Sequence, residues 1–336
     1  MNKTIALILK RVLTILAVLL SAVALLSLSA RWFIYNIEQY RETIVSQISK
    51  TLQLDVSVAE INGRVDFINP IIYAEQVQLS NAEAAVEPMA VDKMEVIIDL
   101  LSSVLHAEPR IQSIRMAGIE LAIVTDLENR LLQLPQLDKA WNMPVRDFNL
   151  KQLLTEAIAT DYFDLGFHDV LIHWRDINAE DKQTFNIKHF VLNPQFHSTR
   201  LALVADLPQT LGQTLTLISS FDHDVVNPSG DFYINTEGLN LANVSRLSGA
   251  QTTHEGYLQS ELWGRASYRQ GLEDLSGRVS LKDYLSPILN SADAISFDGQ
   301  LNWQAQADNR VLGLADLSLQ HGAAVIENAD LAIVQR

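Results

Sequence analysis

Histidine has the strongest claim to chemistry in this sequence. Five of the 8 histidines, His168, His173, His189, His197 and His223, fall in one stretch of the chain. Imidazole is the commonest metal ligand and the commonest general base near neutral pH. The spacing argues against both uses. His168 and His173 stand five apart in FHDVLIHW, which on a regular strand puts them on opposite faces. His223, between Asp222 and Asp224, precedes Val225, Val226, Asn227 and Pro228, a turn-like place where such groups are solvated. The acidic pairs Asp161/Asp164 and Glu273/Asp274 are of a kind commoner at turns and surfaces than in acid–base couples. Cysteine is absent, which removes thiol catalysis, disulfides and Cys-ligated zinc together. HExxH, GxSxG, P-loop and GxGxxG patterns are also missing. Trp141, Trp174, Trp263 and Trp303 are isolated aromatics suited to packing on a sheet. The expectation is no catalytic residue, no metal, no cofactor and no enzyme.

The elements that carry these residues are mostly strands. Val56 and Val58 alternate with polar neighbours after Leu54, and Tyr73, Val77 and Leu79 are expected to share a face in IIYAEQVQLS. Val96, Ile98 and Leu100 follow in MEVIIDL, then Ile119, Leu121 and Ile123 in GIELAIV. Alternation over four to eight residues, bounded by Gly, Asn and Pro, marks a half-buried strand. Residues 150–159 (LKQLLTEAIA) are expected to be a helix, and residues 129–147, with Pro135 and Pro144, an irregular connection. No alternation of strand and helix follows residue 162, which predicts an antiparallel sheet.

Gly230, Gly256, Gly277, Gly299 and Gly322 each open a candidate strand, at intervals of 26, 21, 22 and 23 residues. Leu258 and Leu262 alternate with polar residues after Gly256, and Leu301 and Trp303 alternate with Gln300, Asn302 and Gln304 after Gly299. A period near 22 is the length of one hairpin. It suits a sheet that grows by adding hairpins, with an ordinary β-sandwich as the alternative.

Composition and charge narrow the partners. The 336 residues are 48% hydrophobic and 19% charged, with 14 Gly and 9 Pro, which excludes a disordered or collagen-like chain. The formal charge is −15, and no Asp or Glu precedes Glu38. Beyond Arg31 the chain carries 21 positive and 40 negative charges. A body this acidic cannot attract a phosphate backbone by counterion release, so no nucleic-acid partner is expected.

Residues 12–30 hold nineteen residues without a formal charge. As a helix they rise about 28 Å, close to the hydrocarbon thickness of a bilayer. Lys3, Lys10 and Arg11 precede the run and Arg31 follows it, which favours a cytoplasmic N-terminus and an exported body. A cleaved signal peptide, with a small-x-small site at Ala22-Val23-Ala24, is the alternative. Ile34, Ile37, Ile44, Ile48 and Leu52 then form a stripe at helical spacing. That helix either caps a core or lies on the outer leaflet, and its mixed-sign polar face suits capping. Four segments are expected: a membrane anchor at 1–33, a helix with a first β module at 34–128, a connection with a helix at 129–160, and a repetitive β segment at 161–336.

The order of these features resembles the AsmA-like superfamily, and most closely its YhdP branch of inner-membrane-anchored proteins of Gram-negative envelopes. The resemblance rests on residues 3–124: the anchor, the helix running into LDVSVAEINGRV, then IIYAEQVQLSN and VDKMEVIIDLLSSV. The resemblance implies a half-open groove of curled antiparallel sheet that moves phospholipid between inner and outer membranes. Val77, Leu79, Ile119, Leu121, Ile123, Leu258, Leu262, Leu301 and Trp303 are then the candidate groove residues. The implied partners are phospholipid acyl chains, the inner membrane and an outer-membrane or periplasmic protein. Members of this branch are far longer, so this chain would be the inner-membrane end of a conduit. The competing function is an envelope assembly factor or tether with a closed β core.

Overall fold

The computed structural model describes residues 3–52, 55–80, 89–106, 108, 110–126, 131–134, 139–142, 164–177, 182–223, 227–247, 255–285, 294–306 and 309–335. Strands dominate it. Among the described residues, β1 (Asp55–Asp66), β2 (Asn69–Ser80), β3 (Met89–Ile98) and β4 (Ile111–Asp126) come first. A short hairpin follows, β5 (Leu131–Leu134) with β6 (Lys139–Asn142), where an irregular connection was expected. Then come β7 (Asp164–Asp176), β8 (Lys182–Pro194), β9 (Ser198–Asp206), β10 (Thr214–Asp222) and β11 (Ser229–Asn240). The last are β12 (Glu255–Ser267), β13 (Gly271–Leu285), β14 (Ile295–Gln306), β15 (Asn309–His321) and β16 (Ala324–Gln335). Fourteen of them hydrogen-bond in chain order to form one open sheet, with β5 and β6 hanging from β4. The sheet does not close on itself, as the hairpin-by-hairpin reading requires. The expected helix at 150–159 lies outside the described residues.

The chain divides into two compact units, Met1–Glu83 with Ala90–Met116, and Ala84–Met89 with Ala117–Arg336. The first begins with α1 (Lys3–Tyr35), which contains a 26-residue stretch, Lys10–Tyr35, apolar and long enough to cross a membrane. Asn36 ends it by donating its side-chain amide to the Trp32 carbonyl at 2.8 Å. The expected single helix is therefore broken, and a 3-10 turn (Ile37–Tyr40) leads into α2 (Arg41–Leu52). Ile37, Ile44 and Ile48 are buried, so this segment caps a core.

Most of that core is closed. Val58 stands opposite Val77 and Val56 opposite Leu79, and Val77 is 0% exposed. Ile72, Val91, Met94, Val96 and Ile114 are buried with them. Gly63 lets the end of α1 settle on the sheet: a Cβ there would stand 2.6 Å from Ile34 Cδ1 and 3.1 Å from Ile37 Cδ1. Arg41 pins the start of α2 to β1 by donating to the carbonyls of Val58 and Ala59.

Two expectations fail here for local reasons. Gln76 takes a left-handed conformation (φ 53°), and the alternation shifts by one residue there while the β1–β2 register is kept. Tyr73 therefore leaves the face of Val77 and Leu79, which continues instead through Ala74 and Ile72. On the other face the Tyr73 ring lies under the Arg64 guanidinium at 5.3 Å. Burial, helped by the Glu95 carboxylate, pushes its hydroxyl pKa up. Leu100 also leaves the strand, because β3 ends at Ile98 and Leu100 opens α3 (Leu100–His106). Asp99 caps α3 by accepting from Ser102 N at 2.9 Å.

In the second unit every described strand pairing is antiparallel. A single helix, α4 (Leu241–Leu247), follows β11. Gly230 and Gly256 fall at strand starts and Gly322 in the β15–β16 turn, but Gly277 and Gly299 lie in mid-strand, contrary to expectation. Asp169 (φ 54°) breaks the alternation of β7 in the same way, which brings His168 and His173 to the same face instead of opposite ones.

Candidate functional site

Residues directly opposite in an antiparallel pair share a face, so the register traces each row of side chains across the sheet. One row runs through Phe167, Phe190, Leu203, Leu217, Ile234, Leu262, Gly277, Leu301, Leu314 and Leu331. It crosses β7 to β16 without a polar residue. The row beside it passes through Leu165, Leu192, Leu201, Ser219, Phe232, Gly264, Leu275, Trp303, Leu312 and Ile333. A third, beyond the β11 bulge, links Leu239, Leu258, Leu281, Phe297, Leu319 and Ile326. Pairs of neighbouring strands are about 4.8 Å apart, which makes each row a nearly unbroken apolar track.

The side chains of these tracks are half-buried rather than buried, and Leu331, Ile333 and Ile326 on β16 are exposed. On the opposite face Glu261, Arg265, Arg278, Gln300, Asn302 and Gln304 are exposed. The apolar side chains are the better shielded although they are large and no second layer of described strands lies over them. Gly277 lies on the first of these rows. A Cβ there would lie 2.0 Å from the Glu261 carbonyl oxygen and 2.8 Å from Leu262 Cα, so β13 approaches β12 more closely than any side chain permits. Thr236 opposite Ser260, a polar interruption at depth, satisfies itself through a buried hydroxyl pair at 2.9 Å.

The expected groove residues divide by environment. Leu258, Leu262, Leu301 and Trp303 all lie on the three rows, opposite polar neighbours, and are half-buried. Leu121 and Ile123 are half-buried and Ile119 is buried on β4, where Gly118 (φ 68°) inserts a bulge before them. Val77 and Leu79 are in the first unit's closed core, at 0% and 1% exposure. Phe167, Phe190, Leu203, Leu217, Ile234, Leu275, Leu312 and Leu314 complete the rows and were not picked out from the sequence. Their alternation is blurred by apolar residues facing the other way, such as Ala202, Val204 and Ile218.

The polar face holds ion pairs and the histidines His168, His173 and His189. His168 meets His189 with Nδ1 atoms 3.1 Å apart, and burial together with His168 pushes the His189 pKa down. His173 lies 2.6 Å from the Glu120 carboxylate and 3.2 Å from the Thr184 hydroxyl. His223 instead pairs at 2.8 Å with the buried Thr199, which follows Leu203 and Leu201 along the apolar side of β9. Lys188 bonds Asp206, Arg265 bridges Asp231 and Glu273, and Arg278 meets Asp298. Trp263, half-exposed, shares this face with Tyr233, whose hydroxyl donates to Glu261 at 3.1 Å. These contacts tie neighbouring strands together, pair by pair. Among the described residues no three His, Asp or Glu side chains come together as a metal site.

A search of curated proteins finds no match to this chain. The sequence profile described as YhdP protein matches residues 1–334, almost from end to end. With its apolar N-terminal helix and open strand-on-strand sheet, the chain belongs to the YhdP family of AsmA-like envelope proteins.

Proposed function

We propose that the apolar face of β7 to β16 carries phospholipid acyl chains between the inner and outer membranes. In this reading α1 anchors the chain in the inner membrane with Met1 in the cytoplasm, and the strands stand in the periplasm. The observation that carries it is the set of apolar rows crossing strand after strand while remaining half-open. A tether needs no such surface, since its sheet would serve best with both faces covered or polar.

The energetics favour a track. Each CH₂ moved into water costs about 0.8 kcal/mol, so exposing one fourteen-carbon chain costs on the order of 10 kcal/mol. Rows repeated at strand spacing replace that barrier with many small steps of equal energy, while the headgroup stays in solvent. The acidic polar face, turned outward, resists adhesion to anionic membrane surfaces. Residues 1–33 then act as anchor, 34–128 as the membrane-proximal module, 129–160 as a connection and 161–336 as the groove.

Photo-crosslinking in intact cells tests this directly. A benzophenone side chain at Trp303 should form an adduct with the mass of a phospholipid, and one at Asn302, on the opposite face, should not. A folded, membrane-anchored protein with no lipid adduct at Trp303 refutes the groove. Reporter fusions at Ala90 and Gly230 should both report the periplasmic side, and a cytoplasmic signal at either overturns the topology.

A further inference from the structure

The closed core of the first unit is interrupted by one large cavity, and its position relative to α1 gives it a role. It measures about 770 Å³ and lies between the last turns of α1, α2, the β2–β3 face and α3. Leu28 and Phe33 of α1, Ile44 and Ile48 of α2, and Ile72 and Val96 of the strands make its walls apolar.

Depth in the membrane follows from the helix itself. Lys10 and Arg11 mark the cytoplasmic boundary, and about 20 helical residues span the hydrocarbon core. Counting from Arg11 reaches Arg31 and Trp32, a cation and an aromatic suited to the far boundary. The residues of α1 that line the cavity therefore sit where acyl chains meet headgroups in the outward-facing leaflet. The rim points to the same place. Leu101, Val104 and Leu105 of α3 are 51%, 57% and 73% exposed, on a helix of only 7 residues. Three large apolar side chains held in water are costly, whereas at the acyl boundary beside α1 they are buried in lipid. Nothing charged lines the cavity among the described residues except Glu108 at its edge.

We propose that this cavity is the lipid entrance: α3 dips into the outward leaflet, and one acyl chain of a phospholipid inserts between α1, α2 and α3. The inference rests on the groove reading above and adds where the lipid leaves the bilayer. A membrane-embedded apolar cavity has hydrocarbon as its nearest supply of occupant.

The test uses the full chain in vesicles of phosphatidylethanolamine and phosphatidylglycerol. A benzophenone side chain at Gln47, which lines the cavity from α2, should attach to phospholipid. Ser29→Trp fills the cavity from an exposed position on α1, and Leu105→Asp keeps α3 out of the leaflet. Both should abolish lipid attachment at Gln47 while leaving unchanged the attachment from a benzophenone at Leu20, in the bilayer proper. Both should also deplete lipid at Trp303. Lipid at Trp303 with none at Gln47, or attachment at Gln47 indifferent to both substitutions, overturns the entrance and leaves the groove standing. Attachment of Gln47 to a second copy of the chain instead of lipid overturns it as well. Lipid at Gln47 with none at Trp303 refutes the groove, and with it the cavity's role as its entrance.

Discussion

Placing a carboxylate at Val77 and at Leu301 should separate a closed core from an open face, although the two residues occupy similar local patterns. Val77 is 0% exposed, opposite Val58 and among Ile72, Val91 and Val96. Val77→Asp loses the burial of the valine side chain, about 1.5–3 kcal/mol. It also leaves an unpaired carboxylate in a dry core, or forces it to take a proton, at a cost of several kcal/mol. The total is on the order of 5 kcal/mol or more, comparable with the entire stability of a typical domain, about 5–15 kcal/mol. Leu301 is half-buried between Gly277 and Leu314 on the apolar face. A carboxylate there keeps much of its water, so the cost of Leu301→Asp should fall within about 0.5–3 kcal/mol. The assay is thermal unfolding of the full chain in detergent micelles, followed by limited proteolysis with fragments identified by mass. Val77→Asp should leave the first unit cleavable at low temperature. Leu301→Asp should stay resistant and lose its phospholipid adduct at Trp303. A midpoint lowered by Leu301→Asp as far as by Val77→Asp would mean that the face is covered, and the open-track argument fails.

Gly277→Ala places a Cβ against the Glu261 carbonyl and should cost about 1–3 kcal/mol as an overpacked, strained site. An unchanged unfolding midpoint would remove the evidence for the close approach of β13 to β12. Thr236→Val leaves the buried Ser260 hydroxyl without its partner and should destabilise by about 1–3 kcal/mol, whereas adding Ser260→Ala should restore most of the loss. Equal destabilisation in the single and double variants would contradict a self-contained pair. The folded protein holds the His189 pKa below its ordinary value of 6.5. The unfolded chain therefore binds more protons in that window, so this contribution to stability is present above 6.5 and is lost as pH falls through the folded value. His189→Asn should flatten that acid dependence in urea titrations, and superimposable pH profiles would rule the contribution out.

Much of this protein is local enough to be legible in one dimension. The apolar run of α1 shows in any window of its length, because a bilayer imposes a fixed number of apolar residues. The strands carrying Leu258, Leu262, Leu301 and Trp303 are equally plain, since polar and apolar residues alternate at the period of the pleat. The resemblance to the YhdP family rested on the order of anchor, helix and strand motifs over residues 3–124, and the family match extends over residues 1–334. Kinks at positive φ are where that reading stopped. Gln76 and Asp169 are ordinary polar residues, yet each adopts a positive φ that flips every side chain beyond it. Tyr73 and His173 consequently face the way opposite to the one their spacing predicts. The open apolar face depends on tertiary structure in a stronger sense. Val77 and Leu301 show the same alternation, and what distinguishes them is whether another element covers the face. α1 and α2 cover the first, whereas the side chains around the second stay half-buried. Alternation records which side of a strand avoids water; only the folding of distant segments onto that side, or their failure to do so, decides whether it becomes a core or a surface for lipid.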